Sequence, residues 1–139
     1  MRHTPKTVFY FSFLIGLLFP IHLFGETYTL SSAGTLANKI SANEASVLTS
    51  LKINGRMDAR DFDFIKWNCM SVEDVDLSGV SIDQYTGSYG TNEGYSYTYP
   101  ANEIPLGAFF YWTNSYNHNN TTATSDEGMP SLKSIKLPV

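Results

Sequence analysis

The first feature of the hydrophobic pattern is a long apolar segment near the N-terminus. Residues 8–24 form an almost continuous apolar run of 17 residues behind a basic start with Arg2 and Lys6. A basic start, an apolar centre and the small residue Gly25 are typical of a secretory signal peptide, so we predict a signal peptide over residues 1–25. An uncleaved membrane anchor is the alternative, although a spanning helix needs about 20 apolar residues. After cleavage, we expect residues 26–139 to contain no stable membrane span.

Three later segments share the pattern L-x-x-L-x-L with aliphatic substitutions: residues 48–53, 72–77 and 132–137. Each ends in alternating aliphatic and polar residues, which predicts a short strand with one buried face. The first two segments are 24 residues apart, within the 20–29 residues of a leucine-rich repeat. Turn-forming pairs, Asn54-Gly55 and Ser78-Gly79, follow the first two strands.

The three strands, stacked in parallel and in register, place Lys52, Asp76 and Lys136 in one row. The charge sign then alternates between neighbouring strands, which is compatible with this register. Each exposed pair is worth only about 0.2–1 kcal/mol, so the row supports the alignment without driving it.

One helix is predicted between the first two strands, with Asp58 as its N-cap. Its spacing gives an apolar face made of Phe62, Ile65 and Cys69. Its polar face comprises Arg60, Asp63 and Lys66, which we expect to stay in water. Upstream, Leu36–Ile40 suggests a further helix and Ser41–Glu44 a capping box, so we expect an N-terminal helical cap over the open end of the stack.

Residues 83–129 interrupt the repeat, and seven of the nine tyrosines lie between Tyr85 and Tyr116. Tyr95, Tyr97 and Tyr99 alternate with small polar residues, which predicts a strand with an aromatic face that ends at Pro100. Two interpretations stay open. The rings form a recognition surface for a glycan or a protein, or they pack against the flank of the repeat.

The remainder of the insertion divides by composition. Residues 104–112 (IPLGAFFYW) form a dense apolar patch, which we interpret as a short helix beneath the next strand. Residues 114–128 are rich in Asn and Thr and are predicted to form a polar loop.

Charge and composition exclude several classes of protein. The net charge is -4, and removal of residues 1–25 leaves seven basic against thirteen acidic residues, so no basic field for a nucleic acid exists. One cysteine, Cys69, excludes an intramolecular disulfide, and we favour a buried thiol over a reactive one. Three scattered histidines predict no metal site, and no cofactor is expected.

Candidate catalytic chemistry is limited to two acids. Asp74 and Asp76 would lie about 7 Å apart on one strand face, but a flat row offers no desolvation to raise either pKa. No position combines a nucleophile, a base and an orienting group. We therefore predict that the protein is not an enzyme, with a carbohydrate-active enzyme as a remote alternative.

The mature chain resembles the N-terminal part of BspA-like leucine-rich repeat proteins, a group of bacterial exported and surface proteins. The resemblance covers roughly residues 30–139 and depends on the order of modest motifs: Thr49–Gly55, Val75–Gly79, the tyrosine-rich insertion, Asn102–Pro105, Ala108-Phe109 and Ser131–Pro138. It implies a curved solenoid, adhesion to host or neighbouring-cell proteins, and no catalytic site. The usual cysteine after Ala108-Phe109 is missing. The chain also stops at Val139, where the family begins its regular repeats, so we expect a truncated protein.

The combined prediction is an α/β fold that starts a leucine-rich-repeat-like solenoid, with short parallel strands, an N-terminal helical cap and a tyrosine-rich insertion. We predict a secreted or cell-surface bacterial module that binds a protein or glycan ligand. The expected contacts are Tyr95, Tyr97, Tyr99, Lys52, Asp74, Asp76 and Lys136. A structural N-terminal cap of a longer repeat protein is the alternative, and the uncapped C-terminal strand favours self-association.

Overall fold

The computed structural model describes residues 25–92, 94–116 and 122–139. The predicted signal peptide, apart from Gly25, lies outside the described residues, as does His118. Within the described ranges, no helix has the length and apolarity needed to cross a membrane.

Eight strands and two α-helices make up the described chain. The strands are β1 (Glu26–Leu30), β2 (Ser50–Met57), β3 (Asp74–Ile82), β4 (Tyr85–Gly87), β5 (Tyr97–Tyr99), β6 (Phe110–Tyr116), β7 (Thr122–Gly128) and β8 (Ser134–Lys136). The helices are α1 (Ala42–Ala45) and α2 (Ala59–Asn68), and a 3₁₀-helix spans Leu36–Asn38.

A four-stranded parallel sheet in the order β1-β2-β3-β8 is the centre of the fold. Lys52 pairs with Asp76 and Asp76 with Lys136, so the predicted parallel register of the three repeats is confirmed. Strand β1 extends the sheet by a strand that the repeat pattern did not predict. The described residues therefore form a mixed α/β fold, and a curved solenoid stays a prediction.

The turns predicted at Asn54-Gly55 and Ser78-Gly79 are wrong, because β2 and β3 continue through both pairs. An irregularity in the register between Lys52 and Asn54 absorbs one extra residue of β3. Gly55 lies at a φ of 94°, and a Cβ there would be 2.1 Å from the Leu30 carbonyl oxygen. The glycine therefore permits close approach of two strands rather than a turn.

Helix α2 packs on the core and begins as predicted. Asp58 is its N-cap, and Asp58 and Asp61 form a reciprocal capping box. Phe62, Ile65 and Cys69 are buried, which confirms the predicted apolar face and the buried thiol.

The polar face of α2 was predicted wrongly at Lys66, which is buried rather than in water. Its Nζ lies 5.0 Å from the centre of the Trp67 ring and 5.8 Å from that of Tyr111. It also donates a hydrogen bond of 3.4 Å to the Thr91 carbonyl oxygen. The insertion covers this part of the helix, so a position that faces water in an isolated helix becomes interior.

The segment before β2 packs onto the same core. Ser41 and Glu44 form the predicted capping box at α1, and the turn before it contains the 3₁₀-helix. Leu36, Ile40 and Ala45 are buried in the core cluster. The Tyr28 hydroxyl of β1 donates to Glu44, which ties α1 to the first strand.

The insertion forms two antiparallel hairpins, β4-β5 and β6-β7. Pro100 follows β5 directly, as predicted. The helix predicted at residues 104–112 is wrong, because turns lead there into β6. The loop predicted at 114–128 is also wrong, because Phe110–Tyr116 pairs with Thr122–Gly128. Buried Phe109 explains the apolar patch, since its ring meets that of Phe62 at a centroid distance of 6.1 Å.

Candidate functional site

A row of charged side chains crosses the outer face of the parallel sheet and centres on Asp76. Its carboxylate lies 3.0 Å from the Lys52 Nζ and 3.7 Å from the Lys136 Nζ. The Ser78 hydroxyl and backbone N–H also donate to it. The register therefore brings together the three residues that the sequence placed in one row.

Hydrogen bonds from Ser78, followed by the ammonium of Lys52, hold the pKa of Asp76 well below its usual range. The neighbouring Asp74 accepts a hydrogen bond from the Ser134 hydroxyl of β8. A general acid needs a proton near neutral pH, whereas Asp76 keeps its charge far below that pH. The acid pair is thus arranged to tie strands together, and its geometry gives no support to glycoside hydrolysis.

The tyrosines of the β4-β5 hairpin divide into an exposed set and a buried set. Tyr95 is 74% exposed and Tyr97 is 41% exposed, whereas Tyr99 is only 1% exposed. The Tyr99 ring lies 6.1 Å from that of Tyr85 in a stacked arrangement, and 4.9 Å from the Tyr97 ring edge-on. Its hydroxyl accepts a hydrogen bond from the Asn92 N–H at 2.7 Å.

The prediction of an aromatic binding face is therefore wrong for Tyr99, which packs inside the hairpin. Strand β5 contains only Tyr97–Tyr99, so Tyr95 precedes the strand instead of extending its face. Tyr89 is 78% exposed and is an additional candidate contact. Its position between Ser88 and Gly90, in a sequence of turn-forming residues, is the signal that could have marked it as exposed.

Strand β4 is fastened to α2 through Tyr85. The guanidinium carbon of Arg60 lies 4.8 Å from the centre of the Tyr85 ring. The same guanidinium binds Asp58, the N-cap of α2, with an Nη2–Oδ2 distance of 2.6 Å. The exposed tyrosines thus project from a hairpin whose base is fixed to the helix start.

Two buried polar groups near α2 serve the fold. The Asp61 carboxylate accepts from the N–H groups of Gly34, Leu36 and Asp58 at 2.6, 2.9 and 3.0 Å. Burial raises its pKa. Burial also raises the pKa of the Cys69 thiol to about 11, so this cysteine is not a nucleophile at neutral pH.

The candidate residues form two separate surfaces. Lys52, Asp74, Asp76 and Lys136 share the outer face of the sheet, and Tyr89, Tyr95 and Tyr97 belong to the first hairpin. Within the described residues, no hydrogen bond or ring contact joins the two sets, and no three His, Cys, Asp or Glu side chains cluster as metal ligands would.

No protein-family model matches the chain, and no curated protein is significantly similar to it.

Proposed function

We propose that this protein is a secreted or cell-surface binding module that captures a protein or glycan ligand through the exposed tyrosines of the β4-β5 hairpin. The observation that carries the proposal is the exposure of Tyr89 and Tyr95, at 78% and 74%, on a hairpin with a buried base. Tyrosine offers a broad apolar ring and a polar hydroxyl at a low cost in side-chain entropy, and it is enriched among the residues that dominate binding energy.

The anchored base of the hairpin supports this function. The rings of Tyr85 and Tyr99 stack, and Arg60 covers Tyr85. A fixed base limits the entropy that the exposed rings lose when a ligand binds. A hairpin made only for packing would bury its rings as it buries Tyr99.

We also propose that the binding module is an exported protein with a leucine-rich-repeat-like scaffold. The three in-register repeats, of which the first two are 24 residues apart, support a leucine-rich-repeat-like scaffold of the type found in BspA-like bacterial adhesion proteins. The apolar leader at residues 8–24 supports export. Asp76 is engaged by Lys52, Lys136 and Ser78 and ties the strands together, so we assign ligand capture to the exposed tyrosines.

The test compares ligand capture by the native protein and by the variant Tyr89→Ser/Tyr95→Ser on a glycan array and on immobilised extracellular-matrix proteins. Both side chains are largely exposed, so we expect capture to fall at least tenfold while the thermal midpoint changes by less than about 2 °C. The control is Leu106→Ser, which removes a 57% exposed apolar side chain outside the hairpin. Equal capture by the double variant and the native protein would refute the proposal.

A second candidate function is that of a structural N-terminal cap in a longer repeat protein. It is favoured by Ile135 of β8 and by Leu137 directly after the strand, which are 36% and 55% exposed although Val75 and Leu77, their counterparts in the preceding repeat, are buried. A following repeat would cover them. Sequencing the gene beyond codon 139 tests this, because the cap function requires an in-frame continuation with 20–29-residue repeats.

A further inference from the structure

An exposed thioether, the side chain of Met70, lies just beyond the end of α2. The helix ends at Asn68, and Met70 occupies the turn that follows, where it is 42% exposed. The other methionines in the part of the chain that the structure describes, Met57 and Met129, are 0% and 4% exposed. Cys69 is buried, and burial raises the pKa of its thiol to about 11. Among the described residues, Met70 therefore carries the sulfur that an oxidant in water reaches most easily.

One side of this sulfur faces the phenol of Tyr111 in β6. The Tyr111 hydroxyl lies within hydrogen-bond distance of the Met70 Sδ, and it also donates to the Lys66 carbonyl oxygen at 2.5 Å. The Tyr111 ring meets the Trp67 ring edge-on at a centroid distance of 5.2 Å. Lys66 and Trp67 both belong to α2, so these contacts hold the phenol in a fixed position beside the sulfur.

We propose that Met70 is a site of reversible oxidation, at which a peroxide delivers oxygen to the side of the sulfur that faces away from Tyr111. A thioether sulfur has two lone pairs, and each of them leads to one of the two sulfoxide epimers. Because the phenol blocks one lone pair, an oxidant that arrives from water reaches mainly the other. The product is then mainly a single epimer, which only one of the two stereospecific classes of methionine sulfoxide reductase can reduce. This site is separate from the exposed tyrosines of the β4-β5 hairpin and does not depend on their function.

The oxidant is a hydroperoxide, ROOH, and the step needs no other reactant. A lone pair of the Met70 sulfur attacks the terminal peroxide oxygen, the O–O bond breaks and the S–O bond forms. The proton on the transferred oxygen then passes to the RO⁻ that leaves, which gives the sulfoxide and ROH. The sulfur loses two electrons and the peroxide gains them, so the buried Cys69 thiol takes no part in the reaction.

The position of Met70 allows its oxidation without loss of the fold. The new S–O group points into water, and the sulfur keeps the lone pair that faces Tyr111. The hydrogen bond from Tyr111 to the Lys66 carbonyl oxygen also stays in place. Oxidation of Met57 would instead put a polar oxygen into the core, because that side chain is 0% exposed. The sulfoxide of Met70 is therefore a surface modification, and we expect it to leave the thermal midpoint nearly unchanged.

The first measurement compares the rates at which the methionines are oxidised by hydrogen peroxide. Peptide mapping by mass spectrometry, after cleavage at Trp67 and Leu77, separates Met70 from Met57 and Met129. In the native protein we expect Met70 to be oxidised at least about tenfold faster than the other two, because exposure controls access of the peroxide. In urea, where the chain is unfolded, the three rates should converge.

The second measurement determines which sulfoxide epimer forms at Met70. The oxidised peptide is divided and treated with a reductase of each class. After oxidation of the native protein, we expect one class to restore about four fifths or more of the Met70 peptide and the other class to restore the remainder. After oxidation in urea, each class should restore about half.

The variant Tyr111→Phe tests the role of the phenol, because it removes the hydroxyl and keeps the ring. It should oxidise faster at Met70 than the native protein, and its two epimers should approach equal amounts. The control Tyr95→Phe removes an exposed hydroxyl of the other hairpin and should leave both the rate and the epimer ratio unchanged. If Tyr111→Phe does not fold, the comparison of native and urea-unfolded protein decides the question.

Three results would overturn the inference. The first is oxidation of Met57 or Met129 in the native protein as fast as that of Met70. The second is an epimer ratio at Met70 that is the same in the native and the unfolded protein, or the same in folded Tyr111→Phe and the native protein. The third is unfolding of the protein when Met70 alone is oxidised, because the modification would then be damage and not a reversible surface change.

Discussion

Removal of the Asp61 carboxylate should destabilise the protein more than removal of any exposed acid. Asp61 is 1% exposed, and its two oxygens accept from three backbone N–H groups in two separate segments. One of these groups, Asp58 N–H, belongs to the start of α2. The other two, Gly34 and Leu36 N–H, belong to the segment that follows β1. The carboxylate therefore joins the helix to the N-terminal part of the chain.

The magnitude follows from the groups that Asp61→Ala leaves without an acceptor. The Leu36 and Asp58 bonds are buried, and each buried N–H that loses its partner costs about 1–3 kcal/mol. The substitution also removes a desolvated charge, which offsets part of this loss. We expect a net decrease of about 3 kcal/mol in the free energy of unfolding, or about 10 °C or more in thermal midpoint. Asp61→Asn keeps one acceptor oxygen, so about half of that loss is expected.

Urea denaturation followed by far-UV circular dichroism measures these differences. The control is Glu103→Ala, which removes the charge of an exposed acid and should change the free energy of unfolding by less than about 0.5 kcal/mol. If Asp61→Ala and Glu103→Ala had the same stability, the carboxylate would not join the two segments, and the reasoning would be refuted.

Three other substitutions or conditions have defined outcomes. Gly55→Ala should lower the free energy of unfolding, measured by urea denaturation, by at least about 2 kcal/mol, because residue 55 has a φ of 94° and the added Cβ would meet the Leu30 carbonyl oxygen. The control Gly94→Ala, at a φ of 76° with open space around the Cβ, should lower it less. The pKa of Asp76 is lower in the folded than in the unfolded state. Its contribution to stability is therefore present above about pH 4 and is lost as the pH falls. The variant Asp76→Asn lacks this contribution, so its thermal midpoint should fall less on acidification than that of the native protein. The Cys69 thiol, with its pKa raised to about 11, should react with iodoacetamide at pH 7 only after unfolding; fast labelling of the native protein would contradict its burial.

The parallel core of the fold could be predicted from sequence because two signals agreed. Alternation of aliphatic and polar residues marked each strand, and alignment of the repeated hexads gave a register that the alternating charges of Lys52, Asp76 and Lys136 supported. Helix α2 could be predicted equally well, since an N-cap and the spacing of apolar residues are local features of the sequence. Strand β1 was missed because only Leu30 of its five residues is buried, so its hydrophobic pattern is weak.

The errors in the insertion have a different cause. Pairing between β6 and β7 is made by the backbone, and a sequence rich in Asn, Ser and Thr carries little hydrophobic alternation to reveal it. Lys66 and Tyr99 were misplaced because their burial depends on residues distant in sequence. Lys66 donates to Thr91, and Tyr99 stacks on Tyr85. Helical or strand periodicity gives only the face of an element, whereas tertiary packing decides whether that face meets water.

The same distant contacts give the exposed tyrosines their support. Arg60 binds the N-cap Asp58 with one side of its guanidinium and covers the Tyr85 ring, which in turn stacks on Tyr99. A charged group shared between a helix cap and an aromatic ring links the hairpin to the start of α2, where Asp58 is only 2% exposed. The hairpin can therefore present its outer rings without burying them, because Tyr85, Tyr99 and the buried Thr91, whose carbonyl oxygen accepts from Lys66, hold it in position. This separation of anchoring rings from exposed rings is why we assign the fold-stabilising role to one set and the binding role to the other.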